Sequence, residues 1–118
     1  MPLHFQTLVE PQFTVVTIIG EAALDAYGEL IGRVAQTSRA RNDRRMLVDL
    51  RAVHGALAFT EQFRLGQIVA SELGHLQKLA SVVPPERITR TSEKVASSLG
   101  MQLRVFTDMD DAAQWLLS

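Results

Sequence analysis

The chain has 118 residues and no cysteine, which excludes disulfides, thiolate nucleophiles and cysteine-ligated metals. Its three histidines, His4, His54 and His75, never fall into a His-x-x-x-His spacing, so no metal site is expected. There is no excess of either charge: the formal net charge is −1, too little to draw in nucleic acid or anionic lipid. Apolar runs last only a few residues, far short of a membrane span. Met1 to Phe5 lacks the basic region and apolar core of a signal peptide. A soluble cytoplasmic protein is the expectation. Glycine-rich phosphate or dinucleotide loops and a nucleophile elbow are also missing. Asp110 and Asp111 are adjacent, so on a helix they point about 100° apart and form no close acid pair. No catalytic residue and no cofactor are assigned, and an enzyme is not expected.

What is present is an ordinary globular composition, 47% hydrophobic and 21% charged, in a length that suits one domain spanning residues 1–118. The organising stretch is Arg45 to Arg51. Its apolar core, Met46-Leu47-Val48 and Leu50, reads as a central strand covered on both faces, with Asp49 its one polar interior residue. A carboxylate there needs hydrogen bonds to loop amides and is expected to be a structural anchor. Ahead of it, Leu3 to Val9 and the β-branched run Phe13 to Ile19 flank Glu10-Pro11-Gln12 and predict a hairpin, with Pro11 in the turn. Leu24, Tyr27, Ile31 and Val34 predict a helix from Leu24 to about Gln36. Gly28 and Gly32 lie beside that stripe. Either they allow close packing on the sheet or they form a helix–helix seam. Ser38 to Arg45, with Arg39, Arg41, Arg44 and Arg45, carries no interleaved aromatic for base stacking and reads as a solvated connection.

Beyond the central strand, Ala52 to Ala58 is expected to be a loop and Thr60 the N-cap of a second helix running to about His75. Leu79 to Val83 predicts the next strand, ended by Pro84-Pro85. Ile88, Val95 and Leu99 mark a third helix closed at Gly100, Gln102 to Phe106 the last strand, and Asp108 to Asp111 the start of a final helix. Single helices between strands imply right-handed parallel crossovers. The predicted fold is an α/β sandwich with a mixed, mostly parallel five-stranded sheet and about four helices.

This order resembles the SpoIIAA-like family of the STAS superfamily. Leu103 to Asp108 followed by Ala112, Ala113, Trp115 and Leu116 is similar to the family's ending, and Leu47-Val48-Asp49-Leu50 and Ala80 to Val83 to its central strands. The resemblance implies a bacterial regulatory module that binds protein partners. In such modules the loop after the central strand carries a phosphorylatable serine. Here the matching stretch reads Leu57-Ala58-Phe59-Thr60, with Ala58 at the serine position and Leu57 at the aspartate position. Thr60 is the nearest hydroxyl.

Ligands of open α/β sheets bind beyond the carboxyl ends of the strands. Arg51, His54, Gly55, Thr60, Pro84, Arg87, Thr107 and Asp108 are expected there, either as solvated loop residues or as an anion site in which Arg51, His54 and Arg87 converge. Leu57, Phe59 and Phe63 place three large apolar residues in seven positions. They either cap the core or form an exposed patch, with Phe63 expected in the core and Leu57 or Phe59 at the surface. The functional expectation is a non-enzymatic interaction module that lacks the usual phosphoacceptor and binds a protein partner or a second copy of itself as a dimer. The alternative, which the resemblance permits, is a carrier of a lipid or of a small apolar or anionic ligand.

Overall fold

The computed structural model describes residues 2–118. The hairpin forms as β1 (His4–Val9) and β2 (Thr14–Glu21), antiparallel, with Glu10 and Phe13 closing the Pro11 turn. Then β3 (Arg45–His54), β4 (Lys78–Val82) and β5 (Leu103–Phe106) add in parallel, giving a five-stranded sheet in the order β1-β2-β3-β4-β5. The helices are α1 (Leu24–Arg41), α2 (Phe59–Glu72), α3 (Thr91–Ser98) and α4 (Met109–Leu117), with a 3-10 turn at Pro85–Arg87. The expected sandwich of a mostly parallel sheet and four helices is what forms.

Strand order running in one direction has a consequence. Successive right-handed crossovers put their helices on the same face, so α1, α2 and α3 all cover one side and only α4 is left for the other. The core divides accordingly. Val16, Ile18, Met46 and Val48 meet Leu30, Ile31, Val34, Val69 and Leu73 on the three-helix side. Leu47, Ala80 and Val82 meet Ala112 and Leu116 on the α4 side. Within α4, Ala112 and Leu116 are fully buried, whereas Trp115 lies at the rim, 5.8 Å from the Phe106 ring and beneath Lys78 Nζ.

The sequence misplaces the ends of β3 and α1 and one close helix contact. Strand β3 continues to His54, because one extra residue is accommodated between Asp49 and Ala52: Thr17 pairs with Asp49 and Ile19 with Ala52. Such a bulge shifts the side-chain alternation by one, so Val48 and Val53, five apart, both face the helices. An apolar pattern interrupted in this way looks like the end of a strand. Helix α1 also runs past Gln36, to a left-handed C-cap at Asn42. The supposed connection from Ser38 is therefore partly helix. Ser38 is fully buried against His75 at 2.8 Å, and Arg39 and Arg41 occupy the last turn, where their charge suits the dipole. The close helix contact, finally, is not at Gly28 or Gly32. A Cβ on Gly32 would meet nothing within 4 Å, while one on Gly66 would lie 2.9 Å from Val95 Cβ where α2 crosses α3.

Candidate functional site

A cavity of about 170 Å³ lies beneath α1 and α2, at the carboxyl ends of the strands. Its floor is the helix-facing side of the sheet, with Val16, Ile18, Val48, Leu50 and Val53 among the lining residues. Its roof includes Tyr27, Leu30 and Ile31 from α1 and Leu65 and Val69 from α2. The bulge of β3 builds this chamber, since it turns Val53 inward. The roof is loosely fitted: only Gly66 and Val69 of α2 are fully buried, and Leu65 and Ile68 are partly exposed. The walls are mostly apolar and suit an apolar guest.

The opening is fastened by polar contacts. Arg87 Nη1 donates to the Gly55 carbonyl at 3.0 Å, tying the 3-10 turn to the end of β3. Gln62 Nε2 donates to the Leu57 carbonyl at 3.0 Å, Thr89 Oγ1 donates to Gln62 Oε1 at 3.2 Å, and Ser92 Oγ donates to the Gln62 carbonyl at 3.1 Å. Gln62 thus joins the β3–α2 loop, α2 and the approach to α3. Tyr27 reaches this region from α1. Burial pushes its phenol up to about 12, with the charge of Arg87 acting in the opposite sense. Tyrosine and Gln62 were not singled out from the sequence. A tyrosine on a helical stripe carries no mark that separates a core residue from a pocket wall.

The expected site residues divide. Arg87, Gly55, Leu57 and Pro84 come together around the opening. His54 ends β3 exposed, its carbonyl accepting from Ala22 N at 2.8 Å. Arg51 does not join them, so of the two alternatives the anion site in which Arg51, His54 and Arg87 converge does not form. Its side chain lies with Asp49 on the opposite face of the sheet, gripping that carboxylate and feeling Asp108 of the α4 cap. The Arg51 guanidinium is held above its ordinary value first by its hydrogen bond to Asp49. Asp49 is buried and accepts from the Arg51 amide at 3.0 Å, as an anchor should. Desolvation raises its carboxyl, but the Arg51 hydrogen bonds and charge outweigh it and bring the net value down.

Thr60 is not the helix cap. The N-cap is Ala58, which has no side-chain oxygen, and Glu61 Oε1 compensates by accepting from Ala58 N at 2.9 Å. Phe59 is already the first helical residue and is 70% exposed. Phe63, expected in the core, is 48% exposed, because the inward stripe of α2 runs through Val69 toward Leu73 and passes it by. Leu57 is partly buried and belongs to the cavity wall. On the other face a second depression lies between the Glu10–Phe13 turn and Met109 of α4, and its charged lining residues are both acids, Glu10 and Asp110. Among the described residues no three His, Asp or Glu side chains gather to hold a metal ion, and no helix is long and apolar enough to cross a membrane.

A family model described as SpoIIAA-like matches residues 13–117, and the chain belongs to that family. Among solved structures, an anti-sigma factor antagonist from Mycobacterium paratuberculosis superposes with a TM-score of 0.69 at 16% identity, covering 98% of this chain and 95% of that one. An uncharacterised protein with a SpoIIAA-like fold from Shewanella loihica PV-4 superposes with a TM-score of 0.61 at 17% identity, covering 98% and 93%. Identities this low speak for the fold. No curated protein matches the chain.

Proposed function

We propose that this chain is a non-catalytic binding module of the SpoIIAA-like family, whose ligand is a small, largely apolar molecule held between the sheet and α2. The observation that carries this reading is the 170 Å³ apolar cavity at the carboxyl ends of the strands, roofed by a helix with few buried residues. Such clefts in open α/β sheets are where ligands are taken, and a mostly apolar wall with a few converging polar groups is the common form of a small-molecule site. Native mass spectrometry of freshly purified protein tests it. The expected result is a mass increment of one small molecule that disappears on denaturation, or that appears on adding an apolar probe. A mass equal to the bare chain in both conditions overturns the reading.

A second reading is a regulatory module with a protein partner, including a second copy of the chain. Supporting it are Phe59 and Phe63, one helical turn apart on α2 and both largely in solvent. In this reading the module works without the serine switch of STAS relatives, since Ala58 stands at that position. Incubation with a kinase of the anti-sigma type should leave residues 52–63 unmodified. Stoichiometric phosphate on Thr60 would restore the switch.

A further inference from the structure

We infer that the cavity selects carboxylic acids, with the acid group held at the opening by Tyr27 and Arg87 and a short apolar tail lying inside. This rests on the apolar-ligand reading above and adds the ligand's head group. Arg87 is the one charged side chain among the described lining residues, and no aspartate or glutamate lines the cavity with it. The opening of an apolar chamber therefore carries a single positive charge that nothing in its own wall neutralises.

Arg87 is also fixed in place. Its Nη1 is committed to the Gly55 carbonyl, while the other guanidinium N–H groups donate to no described residue. Beside it, Tyr27 is only 6% exposed, yet its hydroxyl has no hydrogen-bond partner among the described residues and is not sealed away from accessible space. A phenol whose O–H faces accessible cavity space can donate to a ligand acceptor placed there. The phenol is protonated at neutral pH with or without its upward shift, so it can donate. A guanidinium and a phenol O–H supply donors and no negative charge, which is the complement of an anionic oxygen pair.

A carboxylate fits better than a phosphate. A phosphate monoester carries about −1.5 to −2 charges at neutral pH, and one guanidinium would leave the excess unpaired at an apolar surface. The tail is bounded by the chamber: an engineered cavity of about 150 Å³ accommodates benzene, so one ring or a short alkyl chain is the right scale.

Isothermal titration of the full chain with octanoate and with 1-octanol at neutral pH tests this, since the two share a tail and differ in the head. Octanoate should bind about tenfold tighter, the scale of one charge-assisted hydrogen bond. Arg87→Gln should bring the octanoate-to-octanol affinity ratio, measured in the same variant, down to about one. Tyr27→Phe should weaken octanoate alone. Equal affinity for acid and alcohol, or equal loss of both in Arg87→Gln, overturns the head-group assignment while the apolar-ligand reading stands. Binding of neither probe overturns both.

Discussion

Arg51 reaches back two residues along β3 and holds both carboxylate oxygens of Asp49, Nε to Oδ1 and Nη2 to Oδ2 at 2.9 Å each, while its own amide donates to Oδ1 at 3.0 Å. The three bonds fasten the place where β3 admits its extra residue. The carboxylate therefore anchors the bulge that turns Val53 into the cavity. Asp49→Ala should cost about 1–3 kcal/mol, the penalty for unmaking a buried hydrogen-bonded group. Because the folded carboxyl lies below its unfolded value, its stabilisation is present above that unfolded value and is lost as pH falls through the folded one. Urea melts of wild type and variant should thus differ fully at neutral pH and draw together in strong acid. A constant difference at all pH values would mean that the charge is irrelevant.

Two glycines should respond in opposite directions. Gly66→Ala drives a methyl to within 2.9 Å of Val95 Cβ and 3.0 Å of the Ser92 carbonyl, and is expected to destabilise by about 1–3 kcal/mol as overpacking. Gly32→Ala meets open space within a helix and should stabilise by roughly 0.5–1 kcal/mol. Thermal melts of the two variants decide this, and a stabilised Gly66→Ala would show that α2 and α3 move apart freely.

In α4 Leu116 is fully enclosed, whereas Trp115 lies at the rim. Leu116→Ala should cost about 2–5 kcal/mol because the side chain is fully enclosed. Trp115→Ala removes a rim residue whose ring meets Phe106 and Lys78, and should cost less than Leu116→Ala in the same denaturant series.

His75 meets buried Ser38 at 2.8 Å, and its imidazole is held below its ordinary value, first by burial and then by the charge of Arg39, with Asp43 opposing. The folded state accepts a proton less readily than the unfolded chain. Stability should therefore decline as pH drops below about 6.5, the unfolded value, until the folded group also titrates. His75→Gln should lack that decline in melting temperature between neutral and mildly acidic solution. An unchanged pH profile in the variant would assign the decline elsewhere.

Phe59→Ser changes a side chain that is already in water and should leave the melting transition within about 0.5 kcal/mol of wild type. If the chain self-associates through this patch, sedimentation of the variant shifts toward monomer. A variant that unfolds would place Phe59 in the core after all.

The sequence by itself determined the order of elements and their periodicities. The Met46 to Leu50 run, the β-branched Phe13 to Ile19 stretch and the Asp108 cap are local signals, set by residue type over a few positions. Those signals imply parallel crossovers, and crossover handedness then puts α1, α2 and α3 on one face. Tertiary structure alone decided what those helices enclose. The bulge after Asp49 rests on a pairing with β2 about thirty residues away, so the single-residue slip that reverses Val53 leaves no periodic trace along the chain. The depth of Phe63 and Trp115 was equally hidden, because an apolar residue on a helix declares its type but not whether a neighbour arrives to cover it. Tyr27 and Arg87, sixty positions apart, line one cavity only because α1 and the turn after β4 close over the same end of the sheet.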